Sequence, residues 1–493
     1  MSLGCHPKHF FACLRPAWLI APLTFLCLLR QNGMAQSIYA PDRILVQPRV
    51  GTTAGSLARF HAAQKARVLR TFDGIGRLQI LALPDGATVP GSIASYQRSG
   101  LVEFAEPDYL VQAALTPNDP KYVDGTTWGL NKIEAPAAWN VLTSATNIIV
   151  AVLDTGIRYT HEDLAANMWT NPGDGSHGWN AIAGTTNVLD DSGSSHGTLM
   201  AGVIGAVGNN GKGLAGVAWQ VQLMACKCLN SAGNGTNSDI ITCMEFARTN
   251  GAKVFNASWS FIGGSPSLAL SNAIYAARNA GVIFVTASGN NFPTVNIDTT
   301  ACYPANFQID NIVTLCYTTA TDTLGTVSNY GATNVDLAAP GESIYSTSNG
   351  SDTNYFTPSG GGTSFAAAFA SGAFALMLAE YPAETPQRII GRALSSVDPV
   401  PGLAGKCKTG GRLNLRKALT PVRLTGSAAP GGGPFQLHLS ATTNLTCILQ
   451  ASANLTAWSP LYTNNTATSG SFDFTDNDST NAARRLYRAV VGP

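Results

Sequence analysis

From Trp128 to Leu419, short apolar runs alternate with segments whose apolar positions recur at helical spacing, and this alternation constrains the fold more than any other feature. The runs are IIVAVL (148–153), VQLMA (221–225), KVFN (253–256) and VIFVTA (282–287). Between them lie segments such as SDIITCMEFARTNG and SLALSNAIYAARNAG, each closing on a glycine suited to a helix end. A strand that is apolar throughout must be covered on both faces, and parallel strands need long crossovers. The pattern therefore predicts an α/β fold over residues 116–420, a parallel sheet with helices on both faces. Sites in such sheets form at the carboxyl ends of the strands, so the residues just past each run carry the functional information.

The flanks differ in kind. Residues 37–115 read as a small α+β unit of ferredoxin-like type: strand from Arg43, helix Ser56–Arg67, strand from Arg77, helix Ser92–Ser99 and the strand VEFAEPDYLVQA from Val102. The turn-rich ALTPNDPKY marks its boundary. After Leu419, SAAPGGGP forms a flexible spacer, and residues 421–493 contain short β-like runs that predict a small all-β module. The first 35 residues place Lys8 and Arg15 before an apolar stretch, Ala17–Leu29, and then Gly33-Met34-Ala35. That order predicts a secretory signal peptide and hence a secreted chain. An uncleaved anchor is the alternative, but the stretch falls short of the roughly 20 residues a span requires, and no second apolar segment is expected to follow.

Charged residues make up only 12% of the chain, the net charge is +1, and like charges do not cluster. Nucleic acid and anionic membrane surfaces are thereby disfavoured as partners, stable membrane insertion is not expected, and a monomer is. Cys226, Cys228, Cys243, Cys302, Cys316, Cys407 and Cys447 lie beyond the leader. Up to three disulfides are open to them, with no connectivity fixed. Cys226-Lys227-Cys228 is too closely spaced for a zinc ribbon and has no clustered histidine.

Four residues past strand ends or at helix starts carry chemistry. Asp154 closes IIVAVLD before Thr155-Gly156. An Asp-Thr-Gly also marks aspartic peptidases, but the second such triplet, Asp191-Ser192-Gly193, follows too soon for a separate lobe. His196 stands in SSHGTLMAG, a small-residue loop running into an apolar helix. Ser364 stands in SGGGTSFAAAFASG, where Gly360–Gly362 lack the bulk that would keep a substrate backbone from the hydroxyl. Together they supply a nucleophile, a base, and a carboxylate that fixes the base's tautomer. Asn290 ends TASGN after VIFVTA, where its amide can face a developing oxyanion.

The stretches VLDTGIRYTHEDL, SSHGTLMAG, VTASGN and GGTSFAAAFASG, in the order Asp, His, Asn, Ser, resemble the subtilisin-like serine peptidases, most nearly a thermitase-like subgroup, from about Pro117 to Leu419. The resemblance implies a secreted endopeptidase acting on proteins or peptides through an acyl-enzyme, with Asp154, His196 and Ser364 as triad and Asn290 as oxyanion donor. It implies that residues 37–113 are an inhibitory propeptide cleaved near Ala113–Leu115. It implies a substrate-aligning strand at Ser258, Trp259, Ser260 and Phe261, with two residues inserted before Gly263-Gly264, an opposite wall at Ala287, Ser288 and Gly289, and Tyr303-Pro304 near the pocket base. It also implies a structural calcium ion held by Asp119, Asp163, Val207, Asn210, Lys212 and Leu214, an oxygen-rich set suited to a hard cation. Asp190 and Asp191 form a further acidic pair. The family pattern is broken at Leu199, Phe365 and Ala368, where His, Met and Pro are usual. These departures, with the altered substrate strand, keep a second possibility open: a catalytically silent binding protein on the same scaffold.

Overall fold

Nine strands form the central sheet, in the spatial order Asp398–Pro399, Gly411–Arg412, Leu337–Pro340, Ile312–Thr318, Ile283–Ala287, Val254–Ala257, Ser144–Asp154, Gln220–Lys227 and Gly178–Asn180. All neighbours are parallel except the first pair, so the predicted parallel sheet is a mixed one with an antiparallel edge. This computed structural model describes residues 39–109, 115–420, 422–429, 433–441, 446–453, 457–466, 470–481 and 485–491. The predicted signal peptide and most of the predicted cleavage region lie outside the described residues. The chain divides into two compact units, Met1–Ala113 and Ala114–Pro493.

Strand Ser144–Asp154 shows why a continuous apolar run was needed. Val150 and Val152 pack on one face with residues of the helix Thr363–Glu380, while Ala151 and Leu153 pack on the other with residues of the helices Asn237–Thr249 and Leu268–Asn279. Thr363–Glu380 is long and apolar enough to cross a membrane, contrary to the expectation of no second such segment, but 83% of its apolar window is buried inside the fold. Its Ala and Gly content permits that central position. A Cβ on Gly372 would lie 2.7 Å from Val217 Cβ and 2.8 Å from the Ile204 carbonyl oxygen, so only glycine lets the helix approach this closely.

In the N-terminal unit, four antiparallel strands run in the order Arg67–Phe72, Leu78–Ala82, Tyr39–Pro48 and Val102–Tyr109. The helices Ala54–Ala63 and Val89–Arg98, capped by Thr53 and Thr88, share a core with Ile44, Val46 and Leu81. The sequence predicts the first helix to run to Arg67. Instead it ends at Ala63, Lys65 turns at φ +54°, and Arg67 opens the edge strand. That strand is mostly exposed, so it shows no alternation of polar and apolar residues to read, yet it completes the β-α-β-β-α-β order of a ferredoxin-like unit.

The C-terminal strands form two three-stranded antiparallel sheets. One holds Arg423–Ala429, Gly433–Ser440 and Ser471–Asp476, so the predicted spacer SAAPGGGP is not a free linker: its first three and last two residues lie in two paired strands; the other sheet holds Ser459–Asn465, Thr446–Ser452 and Leu486–Val491. Leu437, Leu439, Cys447 and Leu449 supply their buried core. Among the described residues all seven cysteines are free and buried.

Candidate active site

The parallel register brings the predicted residues to one edge. Val152 pairs with Asn256, and Ala257 with Thr286, so Asp154, Ser258 and Ala287 finish adjacent strands at about the same level. The helix His196–Gly205 starts over this edge: a Cβ on Gly197 would lie 2.1 Å from the Gly156 carbonyl oxygen and 3.1 Å from Asp154 Cβ. That approach seats the imidazole on the carboxylate. His196 Nδ1 lies 2.8 Å from Asp154 Oδ1 and 2.9 Å from Oδ2, with the Asp154 side chain fully buried and 29% of the His196 side chain open to solvent. Burial of the ring favours its neutral form. The charge and hydrogen bond of Asp154, with the charge of Asp190, outweigh that and hold His196 above its ordinary value of 6.5.

Ser364 is the second residue of Thr363–Glu380 and is 6% exposed. Its hydroxyl donates to the Ser258 carbonyl at 3.1 Å, and Ser258 Oγ returns a bond to the Ser364 carbonyl, also at 3.1 Å. Among the described residues no hydrogen bond joins Ser364 to His196. Asn290 Oδ1 accepts from the Thr363 N–H at 2.8 Å and from Thr363 Oγ1 at 3.0 Å, which fixes the amide plane; among the described residues Nδ2 makes no hydrogen bond. Asn290 Nδ2 and the Ser364 nitrogen lie 3.5 and 3.8 Å from the point where a Cβ on Gly362 would sit. Both nitrogens thus border the space beside the Gly362 Cα, with Phe365 Cδ2 3.9 Å from the same point.

Of the predicted substrate segments, Ser260 and Gly289 meet: a Cβ on Gly289 would lie 3.1 Å from Ser260 Oγ. Ala287 is buried at its strand end, and Ser288 Oγ donates to the Asn329 carbonyl at 2.8 Å. The Trp259 indole is turned down, its Nε1 donating to the Leu153 carbonyl at 3.0 Å while the ring packs edge-on to Phe284. Phe261 and Ile262, just ahead of Gly263-Gly264, pair antiparallel with Tyr303 and Cys302, and Phe261 lies 5.6 Å from the Tyr303 ring.

The predicted cation residues also gather. Asp119 and Asp163 are fully buried, and burial pushes both carboxyls up. Asp163 accepts from Asn210 Nδ2 at 2.7 Å, the Leu214 N–H at 3.0 Å and Tyr355 at 3.2 Å; Asp119 accepts from the Asn209 N–H at 2.7 Å. The Val207 N–H donates to the Asp163 carbonyl at 2.8 Å. Lys212 sends its N–H to Asn210 Oδ1 at 2.8 Å and its ammonium to Glu162 at 3.1 Å. Among the described residues no side-chain cation pairs with either buried carboxylate. Two buried carboxylates without a cation partner are chemistry a hard divalent ion would suit, but Asn210 presents Nδ2 rather than its oxygen to Asp163, and among the described residues no group of three or more His, Cys, Asp or Glu gathers as a metal site.

The acidic pair behaves differently. Asp191 meets Lys227 Nζ at 2.8 Å, and both Asp190 oxygens are filled by hydroxyl and N–H donors from Thr155, Ser192 and Thr198. Sequence reading passed over Thr363, and over Asn256, whose Nδ2 donates to Ser258 Oγ at 2.9 Å and whose Oδ1 accepts from Ser371 at 3.0 Å. The only local signal was an asparagine inside an apolar run, a polar group that needs partners.

A buried carboxylate with an imidazole on it, and a hydroxyl at a helix start, thus stand at the carboxyl edge of a subtilisin-like sheet. Residues 145–406 match the subtilase family model, and residues 30–108 match the fervidolysin N-terminal prodomain. The chain belongs to the subtilase family and is a serine-type endopeptidase with an N-terminal prodomain. It is 34% identical to a thermophilic serine proteinase of Bacillus sp. (strain AK1) over 292 residues, 59% of this chain and 67% of that one. It is likewise 34% identical to thermitase of Thermoactinomyces vulgaris over 233 residues, 47% of this chain and 76% of that one. A solved protease structure from Pseudoalteromonas arctica superimposes with a TM-score of 0.53 at 28% identity, covering 62% of this chain and 99% of that one.

Proposed function

We propose that the chain hydrolyses peptide bonds with Ser364 as nucleophile, His196 as general base and Asp154 as the carboxylate that holds the imidazole, its first substrate being its own prodomain junction. The observation that carries this reading is the His196 Nδ1 contact with Asp154 at 2.8 Å. With the Nδ1 proton donated to Asp154, Nε2 is the basic nitrogen. The Ser364 hydroxyl, bonded to the Ser258 carbonyl, turns about its Cα–Cβ bond to reach Nε2 when substrate binds; catalytic hydrogen bonds often tighten only then. Attack on the scissile carbonyl places the oxyanion between Asn290 Nδ2 and the Ser364 N–H. The protonated imidazole then delivers its proton to the leaving amine, and water cleaves the acyl-enzyme by the same relay.

Ser258–Ser260 and Ala287–Gly289 would flank the substrate through their backbones, since Trp259 is directed away. Asp119, Asp163 and Asn210, with the carbonyls of Val207, Lys212 and Leu214, would hold calcium, joining three chain segments. The leader pattern supports secretion, and a relative at 31% identity is an extracellular serine proteinase of Thermus sp.. The prodomain would act as an intramolecular inhibitor until its release.

A fluorophosphonate probe should label the wild-type chain, and Ser364→Ala should neither label nor lose its prodomain. Labelling that persists in the variant would refute Ser364 as nucleophile.

A further inference from the structure

One carboxylate outside the triad ties together the two chain segments that form the imidazole–carboxylate contact. Asp190 is 4% exposed. Its Oδ1 accepts from Thr155 Oγ1 at 3.0 Å, the Ser192 N–H at 3.0 Å and Ser192 Oγ at 2.8 Å. Its Oδ2 accepts from the Thr198 N–H at 3.1 Å and Thr198 Oγ1 at 2.7 Å. Thr155 directly follows Asp154, and Thr198 lies in the first turn of the helix that begins at His196. The same groups make a second set of ties: Thr155 Oγ1 accepts from the Gly197 N–H at 3.0 Å, and Ser192 Oγ from the His196 N–H at 3.3 Å. Asn349 clamps the loop from behind, donating to the Asp190 and Ser192 carbonyls at 3.2 and 2.7 Å. It also exchanges hydrogen bonds with Ser195, at 2.7 and 3.2 Å. Ser195 immediately precedes the imidazole and holds φ at +56°, a left-handed backbone that a non-glycine residue keeps only when its surroundings impose it.

We propose that Asp190 is a positioning residue for the His196–Asp154 pair, locking the His196 helix to the Asp154 strand and adding a second uncompensated negative charge to the field at the imidazole. This rests on the triad reading above. Asp190 touches no reacting atom, so it acts through His196. The charged and titratable groups on the elements around the ring are Asp154, Asp190, Asp191, Lys227, Arg158 and the buried Cys228 thiol. Asp191 is paired with Lys227 at 2.8 Å and Arg158 with Asp352 at 2.7 Å, and burial keeps Cys228 a neutral thiol. Asp154 and Asp190 are left as the net charges that favour the imidazolium. Asp190 lacks any side-chain cation partner among the described residues, so removing its charge disturbs no ion pair.

The test is the pH profile of peptide hydrolysis by the enzyme expressed as the full-length chain and allowed to mature, for wild type, Asp190→Asn and Asp190→Glu. In Asp190→Asn the acid limb of kcat/KM should move down by about half a pH unit or more, with kcat reduced about tenfold and KM within about twofold. Asp190→Glu should return the acid limb toward wild type without restoring kcat, because charge is replaced but the bond geometry is not. A loop anchor with no positioning role would lower thermal stability and leave the limb in place; an Asp190→Asn limb coincident with wild type overturns the proposal. Should Asp190→Asn fail to fold, Thr198→Val keeps the charge and cuts one strap. It should lower kcat with the limb unmoved, and an unchanged kcat overturns the proposal equally. Ser364→Ala, run alongside, reports on the triad separately: hydrolysis near the wild-type rate there defeats the triad reading, whatever Asp190 does.

Discussion

On the proposed oxyanion role, Asn290→Ala removes two functions carried by the two ends of one amide. The oxygen end accepts from the Thr363 N–H at 2.8 Å and Thr363 Oγ1 at 3.0 Å, at the first turn of the helix that bears Ser364. Losing a side-chain acceptor for a first-turn N–H costs about 1 kcal/mol, and the exposed position lets water recover part of it. For a domain of this size that corresponds to a Tm drop of about 2–4 °C. The nitrogen end faces the volume it shares with the Ser364 N–H. Removing one such donor in a subtilisin costs about 2.7–4 kcal/mol of transition-state stabilisation, roughly 100- to 1000-fold in kcat, and the same loss is expected here. Asn290→Asp separates the two: it keeps the acceptor, places a negative charge favourably at a helix N-terminus, and removes the donor. Its Tm should match or exceed wild type while kcat falls at least as far as in the alanine variant, with KM little changed. Peptide-anilide kinetics and scanning calorimetry on the three proteins check this. A kcat for Asn290→Asp within tenfold of wild type would refute the oxyanion role.

Because His196 is held above 6.5, the acid limb of kcat/KM should have its midpoint above pH 6.5. The sign for stability comes from the same shift: the stabilisation by the protonated ring is complete below the unfolded value and lost as pH rises through the folded one, so a pH–rate midpoint below 6.5 contradicts it. Chelation should lower Tm and added calcium restore it, by about 2.7 kcal/mol of stability when free ion exceeds its Kd a hundredfold, and Asp163→Ala should abolish the response; calorimetry insensitive to both treatments would exclude the site. Gly372→Ala forces a methyl to within 2.7 Å of Val217 Cβ and 2.8 Å of the Ile204 oxygen, an overpacking expected to cost about 1–3 kcal/mol in urea denaturation.

Much of the domain was legible in the sequence because its signals are local. Strands buried on both faces must be apolar throughout, so IIVAVL, VQLMA, KVFN and VIFVTA are visible, and the residues just past a parallel strand lie at the functional edge. Asp154 and Asn290 follow such runs closely, whereas His196 and Ser364 stand where small-residue loops enter helices. The Arg67–Phe72 strand was not, because an exposed edge strand carries no alternation of burial. Nor was Trp259's downward turn, which depends on Leu153 and Phe284 being beneath it.

The sequence by itself determined which residue types stand at strand ends and helix starts, since capping, chain stiffness and burial on both faces act over a few neighbouring positions. The tertiary structure alone decided who meets whom across long separations: Asp190 with Thr155 and Thr198, Asn349 with Ser195, Asn290 with Thr363. A hydrogen bond is satisfied by any partner of the right polarity, so residue type cannot name the partner; only the sheet's register and the close approach at Gly197 bring one carboxylate, rather than another, to the imidazole.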